Sequence, residues 1–255
     1  YCGGNFEGEQ YAYFSRAAIE ALPLTGFKPD IIHVNDWHTA IIPMLLSTQY
    51  NQEPRGRART VLSIHNLHYQ GRFSFGFVSD LLGIHSKYFQ KEGIEFHGDA
   101  SFLKAGIVFA DQLVTVSPTY AQEIRTPYYG EGLEGILETR ADDLTGILNG
   151  IDTTVFNPLS DPWIPFPYDA ESLPEKQKNK EGLIDELGLT IDPGTPLVGM
   201  VTRLTKQKGI DLVLRVFDEM MEAGIGFLMI GTGEKNYEHF FRGIAQRTGN
   251  RSMGL

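Results

Sequence analysis

The stretch PLVGMVTRLTKQKG, residues 196–209, decides the fold of the second half of this chain. Its apolar start predicts a buried β-strand, and the residues that follow it predict an amphipathic helix. The apolar positions of that helix recur at a 3, 4, 7 spacing: Ile210, Val213, Leu214, Phe217, Met220 and Met221. A buried strand followed by such a helix is the repeating unit of a parallel α/β sheet.

Two cations stand in the turn between this strand and this helix. Arg203 follows the strand, and Lys208 precedes the helix, whose first N–H groups are free and carry a partial positive charge. Such a turn is suited to a phosphate or a diphosphate. Two solvated surface cations in an ordinary loop are the alternative interpretation.

The same alternation of strand and helix runs through the rest of the chain. Strands are expected at 30–35, 59–66, 112–117, 144–149, 196–201 and 226–230. Helices are expected at about 10–22, 40–50, 102–110, 118–125, 133–140, 175–187 and 210–223, with another from about 235. Residues 67–100 are expected to be rich in loops. The fold class predicted is therefore α/β with parallel sheets.

Residues 157–196 interrupt that rhythm with five prolines before a charged helical segment. They predict a linker and a helix that leads into a second domain. We expect a first Rossmann-like domain at 1–148, the linker and its helix at 149–195, and the start of a second Rossmann-like domain at 196–255. With only two strands expected, this second part should not be stable alone.

Composition limits the classes of function. The formal net charge is −10 and no broad basic stripe occurs, so binding to nucleic acid or to an anionic membrane is not expected. No run of about 18 apolar residues occurs. The single cysteine, Cys2, excludes an internal disulfide and suits a reducing compartment.

Each expected strand of the first domain ends in polar side chains or is followed directly by them. They include Asn35, Asp36, His65, Asn66 and Asn149. Ligands of open α/β sheets bind outside the carboxyl ends of the strands, so these side chains are expected to line one rim. Such a rim suits a hydroxyl-rich ligand such as a sugar. Ordinary turn chemistry is the alternative for each residue taken singly, with Asp36 as a helix N-cap.

The sequence predicts neither a metal nor a nicotinamide cofactor. His65 and His68 have no third ligand at a recognisable spacing. Packing or hydrogen-bonding roles are expected for His33, His85, His97 and His239. The Gly231-x-Gly233 turn lacks the third glycine of a dinucleotide fingerprint, although it permits close backbone approach to some ligand.

Seven blocks, in order along the chain, resemble bacterial glycogen synthases and plant starch synthases. The blocks are HVNDWHTA (33–40), SIHNLHYQG (63–71), FLKAG (102–106), TVSPTYA (115–121), GLEG (132–135), GILNGID (146–152) and RLTKQKG (203–209). The resemblance implies a GT-B fold, in which two Rossmann-like domains face each other across a cleft. It implies transfer of α-glucose, with retention, from ADP-glucose to the non-reducing end of an α-1,4-glucan, without a metal.

The resemblance also implies roles for individual residues. Arg203 and Lys208 would bind the diphosphate, and with His65, which would contact the transferred glucose, they are the expected catalytic residues. The expected substrate-binding residues are Asp36, Asn66, Asn149, Gly231 and Gly233. A general-base role for His65 is not expected.

Two parts of the family pattern are absent. A glycine-rich K-x-G-G-L loop does not occur, and Gly3-Gly4 do not replace it; a later acidic block would lie beyond Leu255. The chain is therefore expected to be an internal fragment that is inactive alone. A non-catalytic nucleotide- or glucan-binding module, or another retaining GT-B enzyme such as a sucrose synthase relative, remains an alternative. ADP-glucose or UDP-glucose as donor and the oligomeric state stay open, and a bacterial cytosol is favoured over a plastid.

Overall fold

The computed structural model describes residues 5–254, so Cys2 and Gly3-Gly4 lie outside the described part. The chain divides into two compact units, Tyr1–Gly150 and Ile151–Leu255. Each has its own sheet and its own apolar core.

A four-stranded parallel sheet organises the first unit, in the order β1-β2-β6-β7. The strands of this unit are β1 (Ile31–Asn35), β2 (Arg59–Ile64), β3 (Arg72–Phe73), β4 (Glu95–Phe96), β5 (Asp99–Ser101), β6 (Gln112–Thr115) and β7 (Leu144–Gly146). The expected parallel sheet is confirmed. Three strands end earlier in the chain than predicted. Asn66, Ser117 and Asn149 were expected to be the last residues of β2, β6 and β7, but they lie in the loops that follow these strands.

Helices cover this sheet and close its core. They are α1 (Asn5–Thr25), α2 (Asp36–Thr39), α3 (Ile42–Thr48), α4 (Phe75–Leu82), α5 (Phe102–Phe109), α6 (Pro118–Glu123) and α7 (Glu134–Thr139). The helix expected at 40–50 corresponds to α3, which is shorter than expected, and the separate short helix α2 precedes it. Pro43 lies in the first turn of α3, where proline is tolerated. Helix α5 is almost wholly buried, and a Cβ on Gly106 would lie 2.7 Å from the Cβ of Ala40.

The segment expected to be rich in loops instead carries a small antiparallel sheet, which spans residues 72–101 in the order β3-β5-β4 and which the sequence did not reveal. Strands of two or three residues are too short to show an alternating pattern. Buried Lys104 fixes this region, because its Nζ donates hydrogen bonds to the carbonyls of Lys91 (2.5 Å) and Glu95 (2.7 Å). Burial lowers the pKa of the Lys104 ammonium, with Glu95 and Glu92 opposing.

The second unit is built on a three-stranded parallel sheet, ordered β10-β9-β8. Its elements are α8 (Leu173–Glu186), β8 (Leu197–Val201), α9 (Ile210–Glu222), β9 (Gly226–Ile230), α10 (Lys235–Arg242), α11 (Ile244–Arg247) and β10 (Ser252–Gly254). The expectation of two strands was wrong, since β10 adds a third. The helix that leads into the domain joins this unit's packing through Ile184, which lies in an apolar cluster with Leu189 and Leu228.

In the described range 5–254, no helix is both long enough and apolar enough to cross a membrane.

Candidate functional site

The carboxyl ends of β1, β2, β6 and β7 lie at one edge of the parallel sheet. Asn35 is the last residue of β1, and the strand ends are followed by Asp36, His65-Asn66, Ser117 and Asn149. The structure therefore brings the predicted polar residues of the first unit to one rim. Asn149 is exposed there, three residues beyond the end of β7.

Asp36, His65 and Asn66 form one connected cluster at this rim. Oδ1 of Asp36 accepts hydrogen bonds from the backbone N–H of His65 (2.8 Å) and of Asn66 (3.3 Å). The carboxylate therefore holds the first two residues of the loop after β2. Asp36 itself has φ = 50°, a conformation that non-glycine residues rarely adopt and that the surrounding contacts must maintain.

Asp36 is not the helix N-cap that ordinary turn chemistry would make it. Asn35 takes that position before α2, and no side-chain cap bond is made there. The Asp36 carboxylate instead accepts hydrogen bonds from the loop that follows the neighbouring strand, β2. The Asn35 side chain also reaches that loop, since its Oδ1 lies 2.9 Å from Nε2 of His65.

A second set of contacts continues from Asn66 along the loop. Oδ1 of Asn66 accepts from the N–H of His68 (3.1 Å), and Nδ1 of His68 lies 3.1 Å from Oε1 of Glu131. Gln70 donates its amide N–H to the carbonyl of Glu131 at 3.1 Å. Glu131 has φ = 51°, so these contacts maintain another rare backbone conformation.

Tyr120 also contacts the loop that follows β2. Its hydroxyl accepts a hydrogen bond from the N–H of Leu67 at 3.3 Å. Burial raises the pKa of the Tyr120 phenol, while the bond from Leu67 acts in the opposite direction. Tyr120 lies in the first turn of α6, whose N-cap is Ser117, two residues after the end of β6.

An aromatic cluster lies beside the rim and was not predicted as part of the site. The buried Trp37 ring stacks on His38, with centroids 4.4 Å apart, and meets Tyr11 edge-on at 5.1 Å. Burial lowers the pKa of the His38 imidazole, against the effect of nearby Asp36 and Glu7. Trp37 also lines a pocket of about 580 Å³ in the first unit. The Trp37-His38 dipeptide was the available signal, but its packing partners come from distant parts of the chain.

Three other histidines of the first unit contact protein groups. Nε2 of His33 lies 2.7 Å from Oγ of Ser63, and Nδ1 of His85 accepts from the N–H of Lys87. His97 meets Phe96 edge-on. Residues 5–254 contain no group of three or more His, Cys, Asp or Glu arranged to hold a metal ion.

The two predicted cations of the second unit lie in the segment between β8 and α9. Arg203 and Lys208 are both exposed, and neither forms an ion pair with any residue in the described range. A short 3-10 turn, Lys206–Lys208, precedes Gly209 at φ = 70°, and α9 begins at the next residue. Lys208 therefore stands at the start of a thirteen-residue helix, as the sequence predicted.

Gly231 and Gly233 permit a close approach, but the approaching group belongs to this chain. A Cβ on Gly231 would lie 1.9 Å from the carbonyl oxygen of Thr202, and one on Gly233 would lie 2.3 Å from that of Leu204. Leu204 donates to the carbonyl of Thr232 (2.9 Å) and accepts from the N–H of Glu234 (2.8 Å). The glycines thus fix the segment that carries Arg203.

Comparison with known proteins now defines the class. The model of the starch synthase catalytic domain family matches residues 3–139. The chain belongs to this family, which is a family of glycosyltransferases.

Individual relatives agree with that assignment. Glycogen synthases from Bacillus subtilis and Bacillus cereus are 48% and 46% identical, over 92% and 94% of this chain and 49% and 50% of their own length. The catalytic domain of starch synthase IV from Arabidopsis thaliana, bound to ADP and acarbose, superposes with a TM-score of 0.92 at 34% identity, over 99% of this chain and 53% of that one. The predicted family and the α/β fold of GT-B type are confirmed. The chain spans about half the length of the curated relatives it matches.

Proposed function

We propose that this chain is part of a retaining glucosyltransferase that moves α-glucose from ADP-glucose to the non-reducing end of an α-1,4-glucan. The activity belongs to glycogen or starch synthesis, and the similarity to glycogen synthases of Bacillus species favours a bacterial cytosol. One observation carries the proposal: Arg203 and Lys208 are exposed, have no ion-pair partner within residues 5–254, and stand beside the start of α9.

The charge of the leaving group explains why two cations are needed. Negative charge grows on the nucleoside diphosphate as the bond to glucose breaks. Arg203 and Lys208 stabilise that charge without a metal, and the start of α9 adds its partial positive charge. Removing one such group costs on the order of 10²–10³ in rate.

The cluster of the first unit is assigned to the sugar. His65 and Asn66 hold hydroxyl groups of the transferred glucose while its ring gains positive character. Asp36 acts mainly by holding the backbone of these two residues, which the bonds to their N–H groups support. Asn149 and the Gly231–Gly233 turn are assigned to the nucleotide sugar.

The domain boundaries are proposed as 1–148, 149–195 and 196–255. The division of the chain near Gly150 supports the first boundary. The packing of Ile184 with Leu228 supports a helix that belongs with the second domain.

Calorimetric titration with ADP tests the diphosphate assignment. Lys208→Ala should abolish or strongly weaken binding of ADP. Lys206→Ala is the matched control, because it removes the same charge from the same turn. Equal losses in both variants, or no binding of ADP by the wild type, would refute the assignment. Binding of glucan without any response to ADP would favour a glucan-binding module instead.

A further inference from the structure

Asn35 is the residue immediately before Asp36, and sequence reasoning gave it no individual role. Its side-chain oxygen Oδ1 lies 2.9 Å from Nε2 of the His65 ring. We infer that Asn35 is a positioning residue, which keeps the proton of the neutral His65 ring on Nε2 and leaves Nδ1 to accept a hydrogen bond from a sugar hydroxyl. The inference rests on the proposed function only for the identity of the ligand as a sugar.

The backbone of Asn35 is held independently of its side chain. The hydroxyl of Thr39 accepts a hydrogen bond from the N–H of Asn35 (2.7 Å) and donates one to its carbonyl (3.0 Å). Parallel pairing of β1 with β2 places Asn35 beside Ser63, two residues before His65. Replacing the Asn35 side chain should therefore leave its backbone in place.

The backbone of His65 is held independently as well. Asp36 accepts the hydrogen bond from the N–H of His65, so the start of the loop is fixed without the ring. Within residues 5–254, the bond from Asn35 is the only hydrogen bond that the imidazole makes, and the ring forms no ion pair. The ring's orientation and tautomer are therefore the properties that Asn35 controls.

The chemistry of the two groups decides the tautomer. An amide oxygen can only accept a hydrogen bond, so Nε2 of His65 must donate. In a neutral imidazole the other nitrogen then carries a lone pair. Nδ1 can accept from a sugar hydroxyl, whereas a phosphate oxygen has no proton to give. The arrangement selects a glucosyl group over a phosphate at this position.

Nitrogen-15 NMR of the imidazole rings tests the tautomer directly. Spectra would be recorded at about pH 8.5, above the ordinary imidazole pKa of about 6.5. His65 should show a protonated Nε2 in the wild type and in Asn35→Asp, which keeps the acceptor. In Asn35→Leu the two nitrogen signals should move towards each other as the tautomers mix. A protonated Nδ1 in the wild type, or an unchanged ring in Asn35→Leu, would overturn the inference.

Ligand binding supplies a second readout. Asn35→Leu should bind ADP-glucose about threefold to tenfold more weakly, as expected for one lost hydrogen bond, while its affinity for ADP stays the same. Asn35→Asp should restore the affinity for ADP-glucose. An equal loss for ADP and ADP-glucose would show a merely structural role and refute the inference. If the wild type binds neither ligand, the proposed function fails, and the NMR result still decides the tautomer.

Discussion

Replacement of Gly71 by alanine should destabilise the first unit strongly, because two separate costs coincide there. Gly71 has φ = 58°, and a Cβ would lie 2.3 Å from Cε3 and 2.7 Å from Cδ2 of Trp37. The Trp37 ring is buried between Tyr11, His38 and Phe73, so it has little room to move.

The magnitude follows from adding the two costs. A non-glycine residue in the left-handed region costs about 1–2 kcal/mol. Overpacking a filled core costs about 1–3 kcal/mol. The free energy of unfolding should therefore fall by about 2–5 kcal/mol in Gly71→Ala.

Gly83 provides a matched control for the backbone cost. Its φ is 63°, and a Cβ there would meet nothing within 4 Å. Gly83→Ala should lose only the backbone part, so the two variants should differ by about 1–3 kcal/mol.

Denaturant unfolding followed by tryptophan fluorescence would measure that difference. The chain has two tryptophans, so a Trp163→Phe background leaves Trp37 as the reporter of the first unit. Equal stabilities of Gly71→Ala and Gly83→Ala would refute the reasoning, since the contact with Trp37 would then cost nothing.

Two further predictions concern other parts of the fold. Gly233→Ala should destabilise the second unit by about 1–3 kcal/mol, because the new Cβ would overlap the carbonyl oxygen of Leu204. Gly243→Ala is the control and should change the stability little, because the nearest atom to its new Cβ lies 3.7 Å away. Thermal unfolding of both variants measures the difference. Burial would raise the pKa of the Asp111 carboxyl, but hydrogen bonds from Thr60 and Arg59 hold that pKa below its usual value. Because the pKa is lower in the folded state, the stability advantage of the wild type over Asp111→Asn should be fully present at neutral pH. It should decline as the pH falls below about 4, the ordinary carboxyl pKa, and be lost once the pH is below the lowered pKa of the folded state. Denaturation across pH measures this advantage, and an advantage independent of pH would contradict the prediction.

The predictions that succeeded depended on segments with a clear apolar pattern. Helix α9 begins at Ile210 and β9 spans Gly226–Ile230, as their apolar patterns indicated. Such patterns predict an element well, because the spacing of the apolar residues follows the spacing of the buried positions. The short strands β3–β5 and β10 were missed because two or three residues carry no such pattern.

The candidate site was predictable only in part. That Asp36, His65 and Asn66 would share a rim followed from parallel strands that end at one edge. How they contact each other did not follow, because it depends on the register of β1 against β2. The close approach at Gly231 and Gly233 was anticipated, but the group that makes it is the backbone at Thr202 and Leu204.

The sequence by itself determined the family, the alternation of strands and helices, and the placement of Arg203 and Lys208 in the turn before a helix. Composition, local spacing and ordered motifs are properties of the chain, so they can be read without coordinates. Only the tertiary structure decided that Asp36 holds the backbone of His65 and that Asn35 contacts its ring. Those hydrogen bonds join residues about thirty positions apart, and their partners are chosen by strand register and rare backbone angles, which no local pattern encodes.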